Sequence, residues 1–202
     1  MSARTKLVVG LGNPGRSYEG TRHNIGFEVA DAVRVRLGCS SRKRGKFLAR
    51  LSDVEIWTRP VSQDVWLAKP LTFMNRSGVA VNALVKSLEL APTELLVVVD
   101  DADLPLGQLR LRSSGGSGGH NGLRSIIDAL GSEEFPRLRV GIGRTRPVGD
   151  DITDHVLGKF APSERDAAQQ ASERAAEAVE CCVKEGLTTA MNRFNRRKGD
   201  TD

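Results

Sequence analysis

The sequence is most easily placed by the features that it lacks. It has only three cysteines, Cys39, Cys181 and Cys182, an odd number without the spacing of a metal site or a disulfide framework. The adjacent pair falls in a helical pattern, so we interpret it as packing. No apolar run approaches the roughly 20 residues that a membrane helix needs, and the N-terminal residues do not resemble a signal peptide. These absences predict a protein of the reducing cytoplasm without a membrane span.

The composition that remains is that of a globular domain with a basic excess. Hydrophobic residues make up 39% of the chain and charged residues 27%, which is ordinary for such a domain. A length of 202 residues supports one sizeable core. The net charge of +5 favours an anionic partner, although charge alone does not identify nucleic acid. We therefore expect a single domain over residues 1–202, with a basic tail at 195–202.

Short apolar runs alternate with stretches of helical periodicity. Leu7–Val9 and Leu95–Val99 are typical of buried strands, and Pro162–Glu185 is typical of a long helix. Further strands are predicted at 47–51, 54–57, 65–68, 107–112 and 137–144, further helices near 25–37, 81–88, 123–130 and 191–194, and loops at 40–46 and 147–158. This alternation predicts an α/β fold. We expect a single-domain three-layer sandwich, with a twisted mixed, largely parallel central sheet and helices on both faces.

The stretch Gly10–Gly26, GLGNPGRSYEGTRHNIG, joins the first strand to the first helix. Its glycines match the dinucleotide fingerprint, and its first eight residues differ at one position from a Walker A loop. Neither motif is complete, because Arg16 replaces the Walker lysine and Pro14 removes an amide that should face phosphate. The helix also begins near residue 25 instead of at the glycines, and no acidic residue ends a second strand about 20 residues later. These departures argue against a nucleotide site.

Polar side chains follow the predicted carboxyl ends of several strands. They are Asn13 and His23 after the first strand, Phe73 and Asn75 after 65–68, Asp100 after 95–99, and Asn121 in a second glycine-rich loop at 113–122. Because the ends of parallel strands meet at one sheet edge, we expect these residues to converge. Such a set favours hydrolysis by a water that His23 deprotonates while Asp100 fixes the imidazole tautomer. Asp101 and Asp103 are rivals for the role of Asp100.

Each of these residues also has a structural interpretation. Asn24, Asn75 and Asn121 stand near predicted helix starts, where asparagine is a favoured N-cap, and a capping side chain is not available to a ligand. His23 taken alone fits a hydrogen-bonded structural histidine, and His120 fits one bonded to the backbone of its glycine-rich loop. Only the joint pattern favours catalysis.

Several blocks of the sequence resemble the signature of the bacterial peptidyl-tRNA hydrolase family. They are Gly10–Gly15 with Tyr18 and Thr21–Asn24, Lys69–Gly78, Asp100–Pro105, Gly118–Leu123 and Arg137–Gly143. The resemblance runs from about residue 6 to residue 194, with the blocks in family order. It implies hydrolysis of the ester bond between the peptide, or an N-blocked aminoacyl group, and the 3′ ribose of its tRNA. The product would be tRNA recycled from stalled translation.

The resemblance also implies roles for individual residues. In the family, the histidine that matches His23 is the general base, and the aspartate that matches Asp100 stabilises its proton-accepting form. The asparagine that matches Asn13 helps to distinguish blocked from free aminoacyl groups. The positions implied in binding the peptidyl-tRNA end are Tyr18, Phe73, Met74, Asn75 and Asn121. Those implied in holding the tRNA 5′ phosphate are Arg110, Arg112 and Arg139, with Arg137 beside them.

Peptidyl-tRNA is the partner that the resemblance implies, bound through its 3′ CCA end and its acceptor-stem phosphates. The family's chemistry needs no metal and no cofactor, and we expect no DNA or membrane partner. We expect the protein to be a cytoplasmic monomer. Two alternatives stay open: a non-catalytic RNA-binding module on the same fold, which would bind RNA without cleaving esters, and a nucleotide-binding enzyme, which ATP or NAD would stabilise.

Overall fold

The computed structural model describes residues 4–41, 54–58, 65–144 and 152–195. Its strands are β1 (Leu7–Gly10), β2 (Ser40–Ser41), β3 (Val54–Thr58), β4 (Trp66–Pro70), β5 (Leu95–Asp101), β6 (Leu109–Arg112) and β7 (Arg137–Gly141). Its helices are α1 (Ile25–Arg36), α2 (Ser77–Ser87), α3 (Asn121–Leu130), α4 (Thr153–Leu157), α5 (Arg165–Glu185) and α6 (Leu187–Phe194). None of the helices within these ranges is long and apolar enough to cross a membrane.

Within the described ranges, the strands form a seven-stranded sheet in the order β2-β3-β4-β1-β5-β7-β6. β4, β1, β5 and β7 run parallel in its centre, and the remaining pairs at its edges are antiparallel. Val8 of β1 lies in register between Leu67 of β4 and Leu96 of β5. β1 and β5 are buried along their full length, as expected of parallel strands that are covered on both faces. The predicted mixed, largely parallel sheet is confirmed.

Helices cover both faces of this sheet and create two apolar cores. α1, α5 and α6 pack on one face against residues that include Val8, Leu96 and Val98. α2 and α3 pack on the other face against the alternate positions, such as Val9 and Val97. The predicted three-layer sandwich is therefore confirmed. α5 packs along α1, and five of its buried residues are alanines, whose small side chains allow a close approach of neighbouring elements.

The outer edge of β6 is closed by the last described residues. α6 packs against β6 and buries Ala190 and Phe194. The carboxamide of Asn195 then bonds the backbone of Leu111: Oδ1 accepts from the Leu111 N–H at 2.7 Å, and Nδ2 donates to the Leu111 carbonyl at 3.1 Å. One side chain thus supplies the hydrogen bonds that a neighbouring strand would make on this side.

The adjacent cysteines of α5 are packing residues, as interpreted from the sequence. Cys181 and Cys182 are both buried, and neither forms a disulfide. Burial, together with the neighbouring Cys181 thiol, raises the pKa of Cys182 to about 12. Because the thiolate is the reactive form of cysteine, Cys182 is inert near neutral pH.

Two short elements were not expected from the sequence. The predicted loop at 40–46 begins with β2, and the predicted loop at 147–158 contains α4. β2 is two residues long and is defined only by its backbone pairing with Trp57 and Thr58. α4 has five residues, too few for a periodic apolar pattern. The predicted strand at 47–51, the rest of the basic loop and the tail beyond Asn195 lie outside the described residues.

Candidate active site

The first glycine-rich loop brings β1 into backbone contact with α1. A Cβ atom on Gly10 would lie 2.1 Å from the Gly26 carbonyl oxygen, and one on Gly26 would lie 2.4 Å from the Leu11 oxygen. Only glycine fits at these two positions. The chain then makes a 3-10 turn at Arg22–Asn24 before α1 begins at Ile25. The helix therefore starts beyond Gly10, Gly12 and Gly15, as the sequence indicated, and the catalytic candidate His23 lies in the turn.

Asn24 fixes the backbone of Asn13, and Asn13 in turn contacts the chain after β4. The Asn24 carboxamide accepts from the Asn13 N–H at 2.8 Å and donates to the Asn13 carbonyl at 3.0 Å. The Asn13 side-chain Oδ1 accepts from the Met74 N–H at 2.8 Å. With Oδ1 occupied, Asn13 has its Nδ2 hydrogens left for a ligand.

His23 and Asp100 form a buried pair at the end of β5. The His23 Nδ1 lies 2.8 Å from the Asp100 Oδ1, and both residues are almost fully buried. A proton on Nδ1 that is donated to the carboxylate leaves Nε2 with a lone pair. Burial opposes ionisation of Asp100, but attraction to His120 and His23 and their hydrogen bonds outweighs it and holds its pKa below the ordinary value. The carboxylate is therefore charged at neutral pH.

His120 reaches the same Asp100 oxygen beside His23. Its Nε2 lies 3.0 Å from the Asp100 Oδ1, and its ring centroid lies 5.1 Å from that of His23. Its Nδ1 accepts from the N–H groups of Gly122 and Leu123 at 3.1 and 3.2 Å, which caps α3. Both ring nitrogens of His120 are thus occupied, and its expected bonding to the backbone of the glycine-rich loop is confirmed.

The three asparagines interpreted as possible N-caps do not cap helices with their side chains. Asn24 stands at the N-cap position of α1, but its side chain bonds Asn13 instead of the helix. Arg76 occupies the cap position of α2, and His120 caps α3. The capping interpretation is therefore wrong for all three. Asn75 and Asn121 are exposed, and their side chains make no hydrogen bond within the described part of the chain. Both carboxamides are available to a ligand.

The neighbouring acids of Asp100 are engaged elsewhere. The Asp101 Oδ2 lies 2.9 Å from the Arg139 Nε, and its Oδ1 accepts from the backbone N–H of Asp103. Asp103 is exposed and pairs with Arg144. Of the three rival carboxylates, only Asp100 reaches the imidazoles. Burial raises the pKa of Asp101, which separates it further from Asp100 in behaviour.

A metal ion does not fit the hydrogen-bonding pattern of this cluster. His23, Asp100 and His120 place one potential ligand atom each within 4.8 Å of one another, a spacing that a metal site would also have. Coordination through the His120 Nε2 would require its proton on Nδ1, where two backbone N–H groups already point. Among these residues the geometry favours proton sharing over coordination.

The aromatic candidates and Met74 occupy different environments. Tyr18 and Phe73 form an edge-to-face pair with ring centroids 6.2 Å apart, and Phe73 is half exposed. The Met74 side chain is buried in the core instead, with its sulfur 2.5 Å from where a Cβ on Gly122 would stand. Its backbone N–H is what reaches Asn13. Met74 therefore contributes its backbone N–H to the site, while its side chain packs in the core.

Arg110 and Arg112 of the edge strand β6 and Arg139 of its neighbour β7 lie close together, and we call this surface the arginine edge. Arg110 and Arg139 are directly opposed across the antiparallel pair, and Arg112 is exposed at the end of β6. Opposed like charges destabilise a sheet unless an anion lies between them. Asp101 offsets Arg139 in part. This edge is suited to phosphate.

The sequence does not distinguish Arg137 from the arginines beside it, but the structure gives it a different role: it is buried and bonds backbone carbonyls. It is 2% exposed, stacks on Phe135 at 4.4 Å, and donates from Nε to the Phe135 carbonyl at 3.0 Å. Its Nη1 donates to the Gly115 carbonyl, which ties down the second glycine-rich loop. Burial lowers the pKa of Arg137. The sequence pattern does not separate Arg137 from Arg139, because residues two apart in a strand lie on the same face.

Comparison with known proteins decides the family. The family model described as peptidyl-tRNA hydrolase matches residues 7–201. The chain belongs to the peptidyl-tRNA hydrolase family. The peptidyl-tRNA hydrolase of a Synechococcus species is 50% identical over 191 residues, covering 94% of this chain and 82% of that protein. The peptidyl-tRNA hydrolase of Chloroflexus aurantiacus is 50% identical over 190 residues, covering 94% and 98%.

Solved structures agree with this membership. The crystal structure of peptidyl-tRNA hydrolase from Acinetobacter baumannii matches with a TM-score of 0.85 and 36% identity, covering 98% of both chains. The resemblance noted in the sequence blocks is confirmed, and so is the prediction of an enzyme of the peptidyl-tRNA hydrolase class. In this structure the blocks Gly10–Asn24, Lys69–Gly78, Asp100–Pro105 and Gly118–Leu123 meet around His23.

Proposed function

We propose that this protein hydrolyses the ester between the peptide and the tRNA 3′ ribose, with His23 as the general base. The observation that carries the proposal is the 2.8 Å contact between the His23 Nδ1 and the buried Asp100. It orients the ring so that Nε2 is the nitrogen that takes a proton. Membership of the peptidyl-tRNA hydrolase family supports the choice of substrate. Nothing in the site favours the non-catalytic alternative.

The reaction follows from this geometry. Nε2 of His23 takes a proton from water, and the hydroxide oxygen bonds to the ester carbonyl carbon. The imidazolium is stabilised by the charged Asp100, as in other histidine–carboxylate pairs. When the tetrahedral intermediate collapses, the bond to the ribose 3′ oxygen breaks and that oxygen takes the proton from His23. General base catalysis of this kind contributes about 10²- to 10⁴-fold to the rate.

Asn13 is proposed to select substrates whose amino group is blocked. Because the Met74 N–H already donates to the Asn13 Oδ1, we propose that the Nδ2 hydrogens of Asn13 are the groups that contact a ligand. The acyl carbonyl of a blocked amino group accepts such a donor, whereas a free ammonium group has donors only. Asn75 and Asn121, which are exposed, are proposed to bind the remaining peptide groups.

The tRNA itself is proposed to contact two surfaces beside the catalytic pair. Tyr18 and Phe73 present aromatic faces on which the bases of a single-stranded 3′ end can stack. Arg110, Arg112 and Arg139 are proposed to bind phosphate, which gives affinity without reading sequence. We propose that the enzyme acts in the cytoplasm as a monomer of one domain.

The proposal is tested by release of N-blocked aminoacyl groups from tRNA, with EDTA present and unblocked aminoacyl-tRNA alongside. We expect rapid cleavage of the blocked substrate alone. Cleavage of both substrates would overturn the role of Asn13. Cleavage that EDTA abolishes would overturn the metal-free mechanism. Tight tRNA binding without any cleavage would establish the non-catalytic RNA-binding alternative.

The arginine edge has a separate test in the salt dependence of tRNA binding. Replacing Arg110 or Arg112 with alanine should lower the slope of log affinity against log salt by roughly one phosphate contact each. Lys86→Ala on α2 is the control, since Lys86 is an exposed cation like Arg112 but lies on a helix outside β6 and β7. A slope unchanged by the arginine replacements would show that phosphate binds elsewhere.

A further inference from the structure

We infer that Arg22 is a positioning residue for His23, held in place by Glu164, and this inference rests on the proposed function of His23. Arg22 directly precedes His23 in the 3-10 turn and is 8% exposed. Its Nη2 donates to the Glu164 Oε2 at 2.7 Å, and its Nη1 donates to the Lys159 carbonyl at 2.8 Å. Its backbone N–H donates to the Gly158 carbonyl at 3.0 Å.

Residues 158–164, which we call the anchor segment, surround Arg22 by further contacts. The guanidinium stacks over the Phe160 ring at 5.1 Å from the ring centroid. Thr21, one residue earlier, forms an isolated antiparallel bridge with Lys159. The anchor segment leads directly into α5, which is packed along α1. The turn that carries His23 is therefore fixed to the main body of the protein by contacts other than that with Asp100.

The direction of the two side chains explains why this fixation acts on the base. Successive residues in a 3-10 turn point about 120° apart. The Asp100 carboxylate holds the imidazole of His23, while the anchor segment holds the side chain and N–H of Arg22. With both sides fixed, the position of the His23 Nε2 relative to a bound ester is set by the protein before substrate arrives.

Arg22 is not placed to bind phosphate. Its Nη atoms are used by the anchor segment, and its Nε is buried without a hydrogen-bond partner in the described structure. A buried guanidinium costs free energy unless it is paired, and Glu164 supplies the pairing charge. Arg22 therefore connects the 3-10 turn that carries His23 to the anchor segment.

The chain contains a second copy of the same local device, which provides a matched control. Ala161–Glu164 and Ala91–Glu94 have the sequences APSE and APTE, and both form a 3-10 turn. In each, the glutamate Oε2 accepts from the N–H of the alanine, at 2.8 and 2.9 Å. Each glutamate also pairs with a cation at 2.7 Å, but the partner of Glu94 is the half-exposed Lys6 at the start of the sheet.

The experiment compares Arg22→Met, Arg22→Lys and Glu164→Gln with the controls Lys6→Met and Glu94→Gln. For each we would measure kcat and KM for N-blocked aminoacyl-tRNA and the melting temperature. Arg22→Met should lower kcat about 10²-fold, the cost of misplacing a catalytic group by about 1 Å, with KM unchanged. Arg22→Lys should restore part of that loss. Glu164→Gln should lower kcat less, and the two controls should leave it unchanged.

A second readout does not depend on turnover. The chain has three histidines, so the imidazole NMR signal of His23 can be assigned by its disappearance in His23→Gln. Arg22→Met and Glu164→Gln should shift this signal, whereas Lys6→Met should not. If the wild-type protein cleaves no ester, the proposed function fails, while the signal still tests whether Arg22 positions His23.

Three results would overturn the inference. The first is wild-type kcat in a folded Arg22→Met protein. The second is a loss of kcat in Glu94→Gln as large as that in Glu164→Gln, which would show a general effect of the turn on stability. The third applies if Arg22→Met does not fold. It is an unshifted His23 signal and an unchanged kcat in both Arg22→Lys and Glu164→Gln.

Discussion

Two histidines contact one carboxylate oxygen of this protein, and their roles differ. His23 and His120 lie 2.8 and 3.0 Å from the same Asp100 Oδ1, and their side chains are 10% and 8% exposed. Neither proximity to the acid nor burial distinguishes them. The difference lies in the second ring nitrogen, which caps α3 in His120 and has no hydrogen-bond partner among the described residues in His23. What a histidine can do is decided by the bond that its other nitrogen makes.

The largest expected effect on kcat comes from removing the Nε2 of His23. His23→Gln should lower kcat by about 10⁴-fold, the upper range for a general base, while tRNA affinity is kept because the arginine edge is untouched. Single-turnover cleavage and equilibrium tRNA binding measure the two quantities. A variant that retained turnover would remove His23 from the mechanism and make the two histidines equivalent.

The second largest effect is expected from Asp100, whose Oδ1 contacts both histidines. Asp100→Asn should lower kcat by about 10³-fold, because the amide has no charge with which to stabilise the imidazolium of His23. Asp128→Asn on α3 is the control for loss of a carboxylate, since Asp128 is exposed. Steady-state kinetics on both proteins decide the matter. Equal activity in Asp100→Asn and the control would mean that the carboxylate only holds the ring.

His120 should matter less than His23 and in a different way. His120→Ala should destabilise the protein by about 1 kcal/mol, as other lost N-caps do, and lower kcat about tenfold through the lost bond to Asp100. His120→Asn should recover the stability, since asparagine is a favoured cap, and not the activity. Urea unfolding and kinetics separate the two effects. A His120→Ala protein as inactive as His23→Gln would break the comparison.

The smallest effect is on acid stability. The pKa of Asp100 is lowered from its ordinary 3.8 in the fold, so its contribution to stability is present above that pH and is lost as the pH falls further. The urea midpoint of the wild type should therefore drop between about pH 5 and pH 3, and Asp100→Asn should flatten this dependence. An identical slope in both proteins would show that other carboxylates govern acid unfolding. Asp101 contributes with the opposite sign, since burial raises its pKa.

Elements with a long pattern could be predicted from the sequence, and elements defined by a partner could not. The strands β1 and β5 and the helix α5 can be recognised in the sequence. Burial on both faces of a sheet leaves an uninterrupted apolar run, and burial of one helix face leaves a periodic one. β2 exists only through its pairing with β3, and α4 is shorter than a period can show.

The same division holds within the site. Asn13, His23 and Asp100 follow strand ends, and the parallel sheet brings them together as expected. The bonding of Asn24, the capping by His120 and the burial of Met74 depend on which neighbour each side chain meets. Arg22 is the extreme case, since its partner Glu164 is 142 residues away in the chain. Nothing local marks such a contact.

The closure of β6 by Asn195 sets an order of events during synthesis. Leu111 leaves the ribosome 84 residues ahead of the asparagine that seals it. Until then, the strand that bears Arg110 and Arg112 presents an open edge to other nascent chains, and edges of this kind pair readily with one another. A fragment that ends before Asn195 lacks the side chain that bonds the Leu111 backbone. The surface proposed to hold tRNA is thus completed only after residue 195 has been synthesised.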